Sequence, residues 1–596
     1  MNRILPQTFM CALVSAVVVV LVAMRCILPL VRLLRPRKAT PSTPHNSTAV
    51  AHPVVTDVTI SSTDPPSTET NPRIWRRIEK ELYLHKSRRT AWLYVALKEE
   101  EELEDEDLLV MNIRVGETPP DAGPSQRWDS RPGGIWVLRS RFSGSIGQAV
   151  TEVDILFGMD AVDPRPQWAL MHSSLQLDGE PDIPVARLSV LQGRAKPRLG
   201  ARADLRVRAD GTFKIVQISD THMVTGTGVC KDAIDADGRY LPDGEADPLT
   251  TKFIETILDV EKPDLVVLTG DQLHHDVPDS QTALFKALAP IIQRKIPFAA
   301  VFGNHDDEGV HALSRKSVSD VDYSALQGGC AILICGPGPP TDEIAGTAQM
   351  SILENLPFSL CEAGPEWVDG VGNFHIQVLA SAQSKRPALI LYFLDSHGAI
   401  PSWRHRPDYQ PISQNQINWF VKTSEEIQRE LEKDEEEDCI HGSLVFHHIP
   451  VPEFKDRRLI IHSGRRREPT EGPSNNTHLY DALVKQGVSV LACGHDHVND
   501  FCALLRQDSQ SSGSKGLQGP WLCYGGVSGF GGYCSYGRER YHRQMRIFEL
   551  DTSKECIKTW MRDEHETQRV GELVLVQGGK VVDPPGKDEG RSCVVS

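Results

Sequence analysis

Asp220 and His222 stand two apart at the end of the run KIVQISDTH, and Asp271 closes DLVVLTGD. Asn304, His305 and Asp306 follow PFAAVFG, His448 closes SLVFHH, and His495 and His497 flank an aspartate in VSVLACGHDH. Asp395 and His397 occupy the same kind of position after ALILYFL. Imidazole and carboxylate together suit zinc, iron or manganese, and a carboxylate can bridge two cations. Two metals about 3.5–4 Å apart can bind a phosphate ester, lower the pKa of a bridging water and stabilise the leaving oxygen. Such a site needs no serine or cysteine nucleophile, and no GxSxG or Cys–His signature competes for that role.

These residues are far apart in the chain, so only tertiary structure can assemble them. Each follows directly on a run of Val, Ile, Leu, Phe or Ala. Continuous apolar runs of this length fit strands buried on both faces, as in parallel sheets covered by helices. Between the first runs, TKFIETILDV (251–260) sets Phe253, Ile254, Ile257 and Leu258 on one helical stripe, and SQTALFKALAPIIQRK (280–295) opens on Ser280, a residue that could cap a helix. Alternating strand and helix makes an α/β sheet, and ligands gather beyond the carboxyl ends of its strands.

The ordered series Asp220-Thr221-His222, Gly270-Asp271, Gly303-Asn304-His305-Asp306, His448 and Gly494-His495-Asp496-His497 resembles the calcineurin-like metallophosphoesterase superfamily over roughly 210 to 565. GVCKD (228–232), LTGDQL (268–273), LDSHG (394–398), HIPVPEF (448–454) and YGGVSGFGGY (524–533) are similar to fungal membrane-associated phosphatases linked to dosage-dependent cell-cycle regulation, as is ILFGMDAVDPRPQW (155–168) upstream. The resemblance implies an α/β fold with a metallophosphoesterase β-sandwich flanked by helices. It implies that Asp220, His222 and His497 hold one metal, that Asn304, His448 and His495 hold a second, and that Asp271 bridges them. The two ions would be divalent or trivalent manganese, iron or zinc. Hydrolysis would proceed by attack of a metal-bridging hydroxide, with His305 left uncoordinated to protonate or stabilise the leaving group.

Other readings of single residues stay open. Asp220 or Asp271 alone could cap a helix, although the whole series would then need a coincidence at every motif. His447 and His448 are adjacent, so only one can point into a site from an extended strand. His448, directly before Ile449-Pro450, is the family-like choice. His274 departs from superfamily members that carry Asp or Tyr there. It is expected to orient a ligand, which leaves Asp306 and Asp276 as partners for His305. Asp395 and His397 are expected to support the site rather than ligate. The glycine-rich 525–532 opens no βαβ unit and is expected at the rim of the site. The stretch from Glu308 to Lys385 is expected to shape substrate access.

The rest of the chain bounds the function. Among 596 residues, 64 Lys and Arg against 80 Asp and Glu give a net charge of −16, which argues against a broad nucleic-acid surface. Thirteen scattered cysteines without a CxxC pair read as mostly buried or free thiols rather than a disulfide scaffold. Residues 1–38 hold an uncharged run, Thr8 to Met24, at the short end for a single N-terminal transmembrane helix, followed by Arg25, Arg32, Arg35, Arg37 and Lys38. By the positive-inside rule the following side faces the cytosol. Residues 39–72, rich in Pro, Ser and Thr, read as a disordered tether. Short apolar runs at 91–97, 108–115, 134–142, 150–158 and 186–191 make 73–205 a β-rich accessory domain, while acidic 99–107 and 425–438 read as solvated.

The phosphoesterase domain would occupy 206–565 and a tail 566–596. That tail ends in Cys593-Val594-Val595-Ser596, a C-a-a-X box suited to a prenyl group. Against a cytosolic placement stand the sequons at Asn46 and Asn475. The expectation is a single-pass, membrane-anchored phosphatase acting on a phosphorylated protein. The alternatives are a phosphodiesterase on nucleotides or lipid headgroups, and a non-catalytic membrane scaffold.

Overall fold

All six runs that precede the metal-type residues form strands: Thr212–Ile218, Leu265–Thr269, Phe298–Val301, Pro387–Phe393, Gly442–Phe446 and Val490–Cys493. The computed structural model describes residues 53–63, 75–121, 127–195, 204–241, 244–275, 277–306, 349–380, 383–400, 408–433, 441–505, 519–566 and 568–583. The expected membrane run at 8–24, the tail box at Cys593, Asn46 and Asp276 lie outside these residues. Among the described residues no helix is long and apolar enough to cross a membrane.

The strands divide between two sheets. One takes them in the order Phe298–Val301, Leu265–Thr269, Thr212–Ile218, Gln544–Asp551, Cys556–Asp563, Val570–Gln577 and Lys580–Val581. The other runs Leu205–Arg206, Phe374–Leu379, Pro387–Phe393, Gly442–Phe446, Val490–Cys493, Trp521–Tyr524, Cys502–Leu505 and Leu459–Ser463. The first three strands of the first sheet are mutually parallel, and so are Pro387–Phe393, Gly442–Phe446, Val490–Cys493 and Trp521–Tyr524 in the second. Their carboxyl ends therefore point the same way within each sheet. The strand Phe374–Leu379 belongs to the core, so part of the stretch from Glu308 to Lys385, expected to shape substrate access, instead builds the sheet.

Alternate residues of these strands face two different cores, which is why the runs are apolar without a break. Phe213, Ile215, Leu265 and Val267 of one sheet pack with Leu389, Leu391, Leu444 and Phe446 of the other. The opposite faces are covered by helices. Ala246–Glu261 and Ser280–Gln293 lie on the first sheet, and Gln414–Leu431 and Leu479–Lys485 on the second. Phe253, Ile254, Ile257 and Leu258 are all buried, as their spacing predicts. The cap of the helix at 280 is one residue earlier than expected: the Asp279 carboxylate, not Ser280, accepts from the Thr282 amide at 3.0 Å. The result is a sandwich of two sheets between two helical layers.

Upstream, three sheets of three strands surround a separate apolar cluster. Pro53–Ser61, inside the stretch expected to be a disordered tether, is a strand paired with Trp92–Glu99. Its Val55 and Val58 are fully buried in that cluster. The isolated valines of VVTDVTI have little to bury alone, but against a neighbouring strand they become a core face. Buried charge joins this region to the phosphoesterase sandwich. Lys286 pairs with Asp160 at 2.6 Å and with Asp247, and Lys80 lies 3.4 Å from both Asp154 and Asp279. Pairing is what makes these burials tolerable.

Candidate metal centre

The chain reaches the site by leaving each strand abruptly. Asp220, His222, Asp271 and His495 have φ of 55°, 48°, 50° and 75°. Left-handed backbone is uncommon for residues with a Cβ and costs on the order of 1–3 kcal/mol each. Four such residues at one rim mark a place where side-chain direction outweighs backbone comfort. Gly270 (φ 86°) precedes Asp271, and a Cβ there would collide with the His448 ring. Glycine is thus required at that turn both by conformation and by space.

The described acidic and histidine side chains form two donor groups. Asp220, His222, Asp271 and His497 place one ligand atom each within 4.8 Å of one another, and Asp271, His448 and His495 do the same. Asp271 is common to both. The Nε2 atoms of His222 and His497 are 3.0 Å apart, and His497 Nε2 is 3.5 Å from Asp220 Oδ1. His448 Nε2 lies 3.3 Å from Asp271 Oδ2 and 3.2 Å from Asn304 Oδ1, which brings the amide to the second group. His305 stands beside the groups with its Nε2 3.9 Å from Asp271 Oδ2. All eight residues expected at the site are therefore brought together.

The chemistry of these donors fits cations. A carbonyl can only accept, so His448 Nδ1 donates to Thr269 O at 2.8 Å and His497 Nδ1 donates to Tyr533 O at 2.7 Å. Each bond turns an Nε2 toward the cluster, the arrangement that orients metal-binding imidazoles. Burial pushes His497 down to about 3 and His222 well below the usual imidazole range, which favours the neutral, lone-pair-bearing form that a metal would require. His497 Nε2, left with its lone pair by the bond from Nδ1 to Tyr533 O, lies 3.0 Å from His222 Nε2, so a proton or a cation belongs between the two rings. At His448 burial works downward, but the Asp271 carboxylate outweighs it and pushes the ring up to about 10. The Asp271 carboxylate is what draws positive charge to this side of the pocket.

The supporting residues divide as follows. His274 Nδ1 lies 3.3 Å from His222 Nδ1, on the side away from His497, in keeping with an orienting role. Lys231 Nζ is 3.3 Å from His274 Nε2. Asp306 staples loops, accepting from the amides of Gly303 at 2.7 Å and Leu273 at 2.9 Å. Asp395 and His397 sit outside both donor groups. Asp395 accepts from Val371 N at 2.8 Å and His397 Nε2 meets Gln416 Oε1 at 2.8 Å. The residue between them, Ser396, is what reaches the site region, by accepting from Ile449 N at 2.9 Å. His447 is buried and belongs to neither donor group. Two aromatic contacts escaped sequence reasoning: Tyr533 stacks on His497 at 4.0 Å, and Tyr409 meets His495 edge-on at 4.8 Å. The glycine-rich loop explains its composition here, because a Cβ at Gly532 would fall 2.6 Å from His497 Cε1.

The calcineurin-like phosphoesterase model matches residues 213–499, which encloses every donor just described. A protein of Arabidopsis thaliana named probable inactive purple acid phosphatase 29 is 33% identical over 393 residues, covering 62% of this chain and 87% of its own. The chain belongs to the calcineurin-like phosphoesterase family. Phosphatase DCR2 of Saccharomyces cerevisiae is 33% identical over 426 residues, and the match spans 69% of this chain but 64% of the yeast protein, less than two thirds of it. Among solved structures, the purple acid phosphatase PPD1 from yellow lupin aligns with a TM-score of 0.36 at 12% identity, covering 81% of this chain and 72% of its own. The family is one of phosphoesterases, and its model spans every residue of the two donor groups.

Proposed function

We propose that the protein is a dinuclear-metal-dependent phosphatase that acts on phosphoproteins. The observation that carries this reading is the pair of donor groups sharing Asp271, with His305 beside them and outside both. Asp220, His222 and His497 would hold one ion, and Asn304, His448 and His495 the other. When bound, two such ions neutralise phosphoryl oxygens and lower the pKa of water. Asp271 fixes the spacing of the two groups. His305 keeps its side chain 29% exposed on the open side, where its ring can hold a proton for the departing alkoxide oxygen. Lys231, next to His274, adds a cation at the edge, which favours the dianion of a monoester over a singly charged diester. The Arabidopsis relative is named inactive, but in this chain no member of the donor set is missing.

The deciding experiment assays the full chain, supplied with manganese, iron or zinc, against phosphopeptides, p-nitrophenyl phosphate and bis-p-nitrophenyl phosphate. Faster turnover of phosphopeptides and monoester is expected. A clear preference for the diester overturns the monoesterase reading, and no hydrolysis with any metal overturns the enzymatic one.

A further inference from the structure

We propose that Asn475 carries an N-linked glycan, and that the phosphoesterase domain therefore faces an oxidising compartment. This is the reverse of the cytosolic placement expected from the basic residues after position 24. Two independent observations carry it, and neither depends on which phosphate ester is cleaved.

The first is the setting of the sequon Asn475-Asn476-Thr477. Its neighbours all turn toward the protein. The Ser474 amide donates to Asp408 at 2.9 Å, Asn476 Nδ2 donates to Glu453 Oε1 at 2.7 Å, and Thr477 Oγ1 donates to Ile412 O at 2.7 Å. Asn475 lies between these anchored residues and is exposed. An oligosaccharide on Nδ2 would extend into solvent without displacing any of those bonds. Attachment forms a C–N bond from Nδ2 to the sugar of a lipid-pyrophosphate-linked oligosaccharide, with loss of one proton from the amide and departure of the lipid pyrophosphate. That donor chemistry belongs to the secretory route, where N-x-Ser/Thr acceptors are used.

The second is the disulfide between Cys502 and Cys523. The two residues face each other on adjacent antiparallel strands of the eight-stranded sheet, and both are fully buried. Forming the bond takes two electrons and two protons from the thiols, delivered to a disulfide oxidant by exchange. Such bonds form and persist in secretory and extracellular compartments and are rare where glutathione keeps thiols reduced. Among the described residues, Cys230, Cys493, Cys534 and Cys556 are buried thiols. One compartment satisfies both features, and it restricts the substrates to phosphate esters on that side of the membrane.

The test expresses the full chain in a glycosylating eukaryotic cell with Asn46→Gln in the background, so that Asn475 alone can report. We expect an endoglycosidase mobility shift that disappears on adding Asn475→Gln, with the melting temperature unchanged. Alkylation before reduction, followed by peptide mass analysis, should leave Cys502 and Cys523 unmodified and joined. An Asn475 found without glycan overturns the proposal, and so does alkylation of both Cys502 and Cys523 before reduction. Both readouts are masses, so their failure is distinct from a failure of phosphatase activity.

Discussion

The backbone amide of His305 donates a 2.9 Å hydrogen bond to Oδ1 of Asp271, while Oδ2 of the same carboxylate faces His448 at 3.3 Å, His222 at 3.8 Å and the His305 ring at 3.9 Å. The two oxygens have separate tasks. One anchors the loop that carries His305, and the other is the atom around which both donor groups are arranged. Spacing of the groups and placement of the His305 ring are therefore set by one side chain.

This division makes Asp271→Asn informative. The amide oxygen can still accept from His305 N, so the loop and the fold should survive. The NH2 that replaces Oδ2 has no lone pair for a cation. Bound metal and turnover should fall together, and elemental analysis beside a melting curve checks it. Two metals per chain with near-normal turnover would contradict a shared ligand at Asp271.

His305→Ala should retain both metals and lower turnover by roughly 10²–10⁴-fold, the usual reach of a general acid. p-Nitrophenyl phosphate should recover part of the loss, because its leaving group needs little protonation. Loss of a metal in this variant would make His305 a ligand.

His274→Ala should weaken metal binding by about 10–100-fold, the range for partners that orient ligating imidazoles. His274→Gln should restore part of the affinity, since its amide oxygen can accept from His222 Nδ1. Metal titration followed by calorimetry separates this from simple packing, for which Ala and Gln would behave alike.

Away from the metals, burial pushes the Asp247 carboxyl up to about 6 against the pull of Lys286. The folded chain then holds a proton that the unfolded chain releases at its ordinary, lower value. That contribution to stability is complete below about pH 4 and is lost as pH rises to about 6, with a slope of at most about 1.4 kcal/mol per pH unit. Asp247→Asn should flatten this part of the profile, as read from denaturant unfolding at pH 4 to 7. An unchanged slope would place the titration elsewhere.

Much of the site was legible because its signal is local. An apolar strand followed by Asp, Asn or His is visible in the chain at 220, 271, 304, 448 and 495, and the order of the motifs identified the family. The segment at 53–61 was illegible for the opposite reason. Its valines are too few to mark a strand alone and gain meaning only against Trp92–Glu99. The helix cap at Asp279 was missed by one residue because Asp279 and Ser280 are both good caps, and only backbone geometry chooses between them. The disulfide was missed because Cys502 and Cys523, 21 apart, show no motif spacing and meet only through strand register.

From the sequence alone came which residue types end the strands, the two helices that cover the first sheet, and the family to which the ordered motifs belong. Those follow from periodicity and local composition, which the chain carries at every position. Tertiary structure alone decided that Asp271 is common to both donor groups and that Thr269 O and Tyr533 O turn the Nε2 atoms of His448 and His497 toward the cluster. It also placed Tyr533 and Tyr409 against the ligands, and His274 and Lys231 in line behind His222. These relationships join residues tens to hundreds of positions apart, and only the packing of two sheets sets the distances and directions between them.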